Sequence, residues 1–120
     1  FATDGFDHAD GYRAGETIAA AIRAGVAIDA LFCVTDGIAL GAIRALHDAG
    51  LRAPEDVAVA GFDDISTARD VTPALTTVKV PVEEVGYRAL RAATDPEWVP
   101  ADDPVELTVL LRGSTPSLLT

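Results

Sequence analysis

The chain has 120 residues, and 49% of them are hydrophobic, which is enough to build a buried core in one domain. Nine basic residues against 19 acidic ones give a net charge of -10, which argues against a DNA-contacting surface on this chain. No apolar run approaches the roughly 20 residues of a membrane span. The lone Cys33 favours the reducing cytoplasm.

The first half of the chain alternates predicted helices with short apolar strands. In chain order these elements are the end of a strand at 1–3, a helix with Asp10 as N-cap and a stop at Gly25, a strand at 30–34, a helix at 37–49 with Asp36 as N-cap, and a strand at 57–61. This alternation predicts an α/β fold whose parallel, doubly wound sheet is covered by helices on both faces.

The second half continues with fewer elements. They are a strand at 75–80, a helix that opens at Pro81, an acidic proline-rich loop at 95–104, a strand at 105–112 and a loose tail at 114–120. Within the helix, Val82, Val85, Ala89 and Leu90 fall on one side. The last strand alternates apolar and polar residues, which indicates one wetter face.

Acidic residues follow two of the predicted strands. Strand 30–34 leads into Thr35-Asp36, and strand 57–61 leads into Asp63-Asp64. Ligands of parallel α/β sheets bind outside the carboxyl ends of the strands, so both exits point to one polar pocket. N-capping alone is the favoured explanation for Asp36, and a turn role is an open alternative for Asp63 and Asp64.

Three segments together closely resemble the effector-binding domain of LacI/GalR (lac repressor and galactose repressor type) transcription regulators. They lie at 29–46, 50–64 and 73–78. The resemblance implies a non-enzymatic domain like the periplasmic sugar-binding proteins, in which two lobes close over a small effector. It also implies a homodimer that contacts operator DNA only through an N-terminal helix-turn-helix, which this chain lacks, with no membrane partner.

By the same resemblance, residues 1–78 supply most of the C-terminal lobe. Residues 79–112 are a helix and a strand that cross over to the N-terminal lobe, and 113–120 form a tail. Within this frame Phe6, Thr35 and Asp63 match effector-facing positions. An aromatic face suits the C–H side of a sugar or nucleoside, and a carboxylate can accept two hydroxyl donors.

Two positions depart from the family pattern. Thr35 stands where asparagine is usual, so the effector is expected to be smaller or a water to fill the gap. Gly113 stands where an acidic residue is common, which puts a ligand contact from the terminal strand in doubt.

A dimer surface is predicted on the second helix. At about 100° per residue, Leu40 falls outside the apolar arc of that helix and close to Arg44. An isolated exposed leucine is ordinary, but these regulators pair through this helix and the segment at 66–72. The resemblance therefore assigns Leu40, Arg44 and Val71 to a twofold contact.

Two other classes of function stay open. One is a periplasmic-type solute-binding protein of the same fold, which serves transport. The other is a Mg²⁺-dependent phosphoryl-transfer or receiver-like domain, although the order of its acidic strands argues against this class. The sequence predicts no cofactor and no metal site, since its glycines lack nucleotide-binding spacing and its histidines lack a ligand spacing.

Overall fold

Helices and short strands alternate along the chain in the computed structural model, which describes residues 1–99 and 104–117. In chain order the elements are α1 (His8–Arg23), β1 (Ala30–Phe32), α2 (Asp36–Asp48), β2 (Ala58–Ala60), a 3-10 helix (Ser66–Arg69), β3 (Thr77–Lys79), α3 (Val82–Thr94) and β4 (Thr108–Leu110). The predicted order of helices and strands is confirmed from α1 onward. Each strand is shorter than predicted, and residues 1–3 form no strand.

The four strands form two two-stranded sheets, one of β1 and β2 and the other of β3 and β4. β1 and β2 are parallel, with Leu31 opposite Val59. Isolated parallel bridges continue from β2 to the neighbourhood of β3, first between Ala60 and Thr76 and then between Asp63 and Lys79. β4 runs antiparallel to β3. The α/β fold therefore has a parallel first part, as predicted, and an antiparallel last pair.

The core lies between the helices and the parallel strands. Its largest fully buried apolar side chains are Leu46, Leu75, Val57 and Val59. α1 and α2 cross at glycines: a Cβ on Gly41 would lie 2.1 Å from the carbonyl oxygen of His8, and one on Gly11 would lie 2.2 Å from that of Ile38. Glycine is therefore required here to let the two helix backbones touch.

One side of β1 and of the residues that follow it is open within the described part of the chain. Phe32 is 67% exposed and Val34 is 59% exposed, because nothing in the described part of the chain lies over them. The predicted apolar side of α3 is also open, since this helix has no buried residue. Val82 and Leu90 on that side are 66% and 62% exposed. Two apolar faces thus lack a covering layer among the described residues.

Both predicted N-caps lie elsewhere. Asp7 caps α1, and Asp10 is the N3 partner that completes a capping box with it. Thr35 caps α2, with its hydroxyl accepting from the N–H of Ile38 at 3.2 Å. Asp36 is instead the first helical residue of α2, and it is fully buried. The carboxylate of Asp36 does not cap the helix, because it accepts hydrogen bonds from the hydroxyl of Thr77 and the N–H of Ile65 instead.

The start of the predicted tail is part of the core. Ser114 is fully buried, and its hydroxyl donates to the carbonyl of Val59 at 2.6 Å and accepts from the N–H of Thr76 at 2.8 Å. Ser114 thus connects β2 to the start of β3. This long-range contact could not be predicted from the polar sequence of the segment. Residues 118–120 of the predicted tail and 100–103 of the predicted loop lie outside the described residues.

We expect Gly41→Ala to destabilise the fold by about 1–3 kcal/mol, because the added methyl group would collide with the backbone of α1. Gly86→Ala is the matched control. Gly86 also lies inside a helix, but a Cβ there would meet nothing within 4 Å, so the change should stabilise by up to about 1 kcal/mol. Urea denaturation of both variants tests this. Equal effects of the two changes would contradict the tight helix crossing.

Candidate functional site

Three loops meet beside the carboxyl ends of β1 and β2. The backbone N–H of Asp36 donates to the carbonyl of Phe62 at 2.8 Å, which joins the start of α2 to the loop after β2. The hydroxyl of Thr35 donates to the carbonyl of Phe6 at 3.1 Å, which joins it to the loop before α1. The structure therefore brings the loops of the three predicted effector-facing residues, Phe6, Thr35 and Asp63, to one edge of the domain.

Thr35 has two local roles at this edge. Its hydroxyl oxygen accepts a hydrogen bond from the N–H of Ile38 and so caps α2, and its O–H group donates a hydrogen bond to the carbonyl of Phe6. A hydroxyl has one proton to donate, so this arrangement leaves Thr35 with only acceptor capacity for a further group. An effector group that approaches Thr35 would therefore have to be a donor or a water, or the bond to Phe6 would have to break.

Phe6 presents an open aromatic ring. Its side chain is 72% exposed, while its backbone is held by Thr35. Such a ring offers an apolar face at low cost in side-chain entropy. The position suits stacking against a flat or C–H-rich ligand surface.

Asp63 is half-buried, and its carboxylate has no hydrogen-bond or ion-pair partner within the described residues. Its backbone lies in the left-handed region, with φ at 116°, and its N–H donates to the carbonyl of Val78 at 2.9 Å. Burial raises the pKa of Asp63 above its ordinary value, and the negative charge of Asp36 raises this pKa further. The carboxylate thus has no internal partner and is carried by a strained loop.

Asp64, which follows it, has satisfied partners. Its side chain is only 3% exposed and pairs with Arg112 at 2.6 Å and with Arg69 at 3.2 Å. Arg112 also donates to the carbonyl of Leu75 at 3.0 Å, so it links the end of the β4 segment to the approach of β3. Asp64 is therefore an internal ion-pair partner, and a turn role alone does not describe it.

Asp36 is the residue of this region that sequence reasoning placed wrongly. Its carboxylate accepts from the hydroxyl of Thr77 at 2.6 Å and from the N–H of Ile65 at 2.9 Å. Both partners are far away in sequence, so no local pattern pointed to them. One usable signal was Gly61, since a Cβ at that position would lie 2.3 Å from Oδ1 of Asp36.

Gly113 offers no ligand-facing side chain, and it lies in the segment between Arg112 and the buried Ser114. A Cβ there would lie 3.4 Å from the Cβ of Pro73. This approach is within ordinary van der Waals contact, so the glycine is not forced by packing. The predicted loss of an acidic contact at this position stays a prediction.

The predicted dimer residues lie together on another face. Leu40, Arg44 and Val71 line one groove of about 790 Å³ between α2 and the loop after the 3-10 helix. Leu40 is half-buried, where its sequence position suggested an isolated exposed side chain, and it also packs against the core. Arg44 is exposed and pairs with Asp48 through Nε at 2.9 Å from Oδ2. None of Phe6, Thr35 and Asp63 lines this groove.

The structure gives little support to chemistry at other polar residues. Among the described residues, no cluster of three or more His, Cys, Asp and Glu side chains could hold a metal ion. Burial raises the pKa of the Cys33 thiol to about 11, which disfavours the reactive thiolate. The helices in the described ranges are too short or too polar to cross a bilayer.

Residues 1–115 match the family model described as a periplasmic binding protein-like domain. The chain belongs to this family. The HTH-type transcriptional repressor PurR of Erwinia tasmaniensis is 42% identical over 90 residues, which are 75% of this chain and 26% of that protein. The probable HTH-type transcriptional repressor ExuR of Bacillus subtilis is 38% identical over 96 residues, 77% of this chain and 28% of that protein. The chain thus spans about a quarter of the length of these curated relatives.

Solved structures agree with this assignment. An uncharacterized protein from Actinobacillus succinogenes has a TM-score of 0.82 and 32% identity, over 95% of this chain and 42% of that chain. A LacI-family sugar-binding transcriptional regulator from Escherichia coli, complexed with phosphate, has a TM-score of 0.75 and 31% identity, over 91% and 39%. The lac repressor dimer, bound to operator and the anti-inducer ONPF, has a TM-score of 0.76 and 25% identity, over 92% and 39%.

These matches confirm the predicted resemblance to LacI/GalR-type regulators and the predicted α/β fold of the periplasmic-binding-protein type. The matched relatives are transcriptional repressors, which does not favour the solute-binding and Mg²⁺-dependent alternatives. The roles of Phe6, Thr35 and Asp63 in the periplasmic binding protein-like domain stay predictions.

The raised pKa of Asp63 predicts how stability changes with pH. A carboxyl whose pKa is higher in the folded than in the unfolded state destabilises the fold when ionised, and this cost disappears as the pH falls below both values. Asp63→Asn removes the charge and tolerates the left-handed backbone. We expect the variant to be more stable than the parent at pH 7, with a smaller advantage at pH 4, in parallel urea titrations. An advantage that grows on acidification would contradict the raised pKa.

Proposed function

We propose that this domain is the effector-sensing part of a LacI-type transcription regulator. In this proposal a small molecule binds beside the carboxyl ends of β1 and β2 and shifts an equilibrium between two conformations of the protein, which the DNA-binding segment detects. The observation that carries the proposal is the unpartnered carboxylate of Asp63, held on the same edge as Thr35 and the open ring of Phe6. The similarity to transcriptional repressors supports it.

A sugar is the proposed class of effector, with a nucleoside-like molecule second. A carboxylate without an internal partner can accept two hydroxyl donors, and an exposed aromatic ring covers the C–H face of a pyranose or furanose. Thr35 keeps acceptor capacity for one more donor. A donor-rich, uncharged ligand complements this set, and a solved neighbour of similar fold is a sugar-binding regulator.

We assign the segment at 79–112 to the second lobe of the effector-binding domain. This assignment is supported by α3, which has a one-sided apolar face and no buried residue. An amphipathic helix of this kind needs a packing partner, and none lies within the described part of the chain. Residues 1–78 then form the C-terminal lobe, and the effector lies between the two lobes.

The proposed protein acts in the cytoplasm, where its operator DNA is located, and it contacts that DNA outside this acidic chain. In this proposal its polar groups bind the effector and respond to its binding, and we assign none of them a catalytic role. The matched relatives, which are repressors, support this reading.

We expect Asp63→Asn to weaken effector binding by about 10- to 100-fold, because a hydrogen bond to a charged acceptor contributes about 1.5–3 kcal/mol. A thermal-shift screen of ribose, glucose, sucrose and purine nucleosides identifies a binder, and calorimetry gives its affinity for both proteins. Asp70→Asn is the matched control, since Asp70 is an exposed aspartate a few residues away. Equal affinity of the Asp63→Asn variant and the parent protein would exclude Asp63 as an effector contact.

We also propose that the protein is a homodimer, paired through the groove that contains Leu40, Arg44 and Val71. The groove is lined mainly by apolar side chains, with several charged ones among them, and subunit contacts combine the same two kinds of residue. Leu40 and Arg44 lie one turn apart on α2, so a twofold axis would bring two copies of the same stripe together. The lac repressor, which this domain resembles in fold, was solved as a dimer.

We expect Leu40→Asp to dissociate the dimer, because pairing would then bury an unpartnered charge. Sedimentation equilibrium at micromolar concentration measures the result for the parent and the variant. Ala20→Asp places the same charge on an exposed position of α1, and this control should stay dimeric. A monomeric parent protein, or a dimeric Leu40→Asp variant, would refute the proposed interface.

A further inference from the structure

A buried carboxylate lies directly behind the loop that carries Asp63. Asp36 is fully buried, and both of its oxygens have protein donors, the hydroxyl of Thr77 at 2.6 Å and the N–H of Ile65 at 2.9 Å. The N–H of Asp64 lies 3.4 Å from the oxygen of Thr77 and donates to it. The hydroxyl of Thr77 thus accepts a hydrogen bond from the N–H of Asp64 and donates one to the carboxylate of Asp36.

This network spans three parts of the fold. Asp36 belongs to the first turn of α2, Thr77 begins β3, and Asp64 and Ile65 belong to the loop between β2 and the 3-10 helix. The close approach of the loop also depends on Gly61, where any Cβ would overlap the carboxylate. The carboxylate of Asp36 therefore lies against both ends of the loop at 61–65, at Gly61 and at Ile65.

The loop that it holds has an unfavourable backbone. Asp63 and Asp64 are consecutive non-glycine residues with φ values of 116° and 58°. Residues in such regions cost free energy and persist only where the surroundings hold them, and they concentrate at functional sites. Two successive donors from this loop to one buried network supply such a restraint.

We propose that Asp36 is a positioning residue of the effector site, which holds the loop at 61–65 against β3 through Thr77 and Ile65 and so aims Asp63 at the effector. This inference rests on the proposed function in taking Asp63 as an effector contact. Asp36 itself contacts no effector, because its side chain is covered on all sides. Its influence on binding passes through the backbone of the loop.

Electrostatics connects the same two carboxyl groups. The charge of Asp36 is one of the causes that raise the pKa of Asp63, after burial. The charged side chains on the elements that meet this loop are Asp36, Asp64, Arg69, Lys79 and Arg112. Both arginines form ion pairs with Asp64, and neither pairs with Asp63. The carboxylate of Asp63 therefore has no cationic partner that would offset its repulsion by Asp36.

Amide hydrogen exchange of the whole protein, without any effector, tests the positioning. We expect Thr77→Val to speed exchange at Asp64 by on the order of tenfold, because the N–H of Asp64 loses its acceptor. Exchange at Ile65 should also become faster, because its acceptor Asp36 loses the donor that holds its other oxygen. Thr77→Ser keeps the hydroxyl and should restore slow exchange. Ser114→Ala is the control, since it also removes a fully buried hydroxyl but one that does not touch this loop.

The titration of Asp63 gives a second measurement, which a purely structural role would not change. With ¹³C-labelled aspartate carboxyl groups, Asp36→Asn should lower the pKa of Asp63, while Asp48→Asn, a change at the far end of the same helix, should leave it unaltered. If Asp36→Asn fails to fold, the exchange data on Thr77→Val still decide the question.

Two results would overturn the proposal: exchange at Asp64 and Ile65 that is no faster in Thr77→Val than in Ser114→Ala, or an unshifted Asp63 titration in folded Asp36→Asn. Neither measurement uses a sugar. A failed effector screen would therefore count against the proposed function alone, and an undisturbed loop would count against the positioning role alone.

Discussion

The buried carboxylate of Asp36 is the contact on which the arrangement of the loops depends. Removing an acidic side chain from water is costly unless its oxygens are satisfied, and the loss of one hydrogen-bond partner of a buried group costs about 1–3 kcal/mol, or more when the group is charged. Here a hydroxyl and a backbone N–H satisfy it. The segments that provide those donors are thereby held at the first turn of α2, and the candidate effector edge is built on top of them.

α2 connects the two surfaces that matter in the proposed function. Its first turn carries the groups that hold the effector edge, and its middle carries the stripe of Leu40 and Arg44 in the groove. The helix is anchored by its crossing with α1 at Gly41, where no side chain separates the backbones.

The uncovered apolar faces of the domain are the kind of surface that packs against further protein. Phe32 and Val34 leave one side of β1 open, and α3 presents an apolar side with no partner in the described residues. Exposed apolar surface of this extent is typical of contacts with further protein. The chain spans about a quarter of its curated relatives, which agrees with these open faces.

The sequence by itself determined the α/β order, the acidic exits of two strands and the family, because each depends on local pattern or on a run of matching residues. The family resemblance assigned Phe6, Thr35 and Asp63 to effector-facing positions, and the shared edge of parallel strand ends predicted only that the exits carrying Thr35 and Asp63 lie together. Only the tertiary structure decided the role of Asp36, whose partners are Thr77 and Ile65, and the burial of Ser114 beside Val59. These depend on contacts between residues 29 to 55 positions apart, and no local periodicity encodes such contacts.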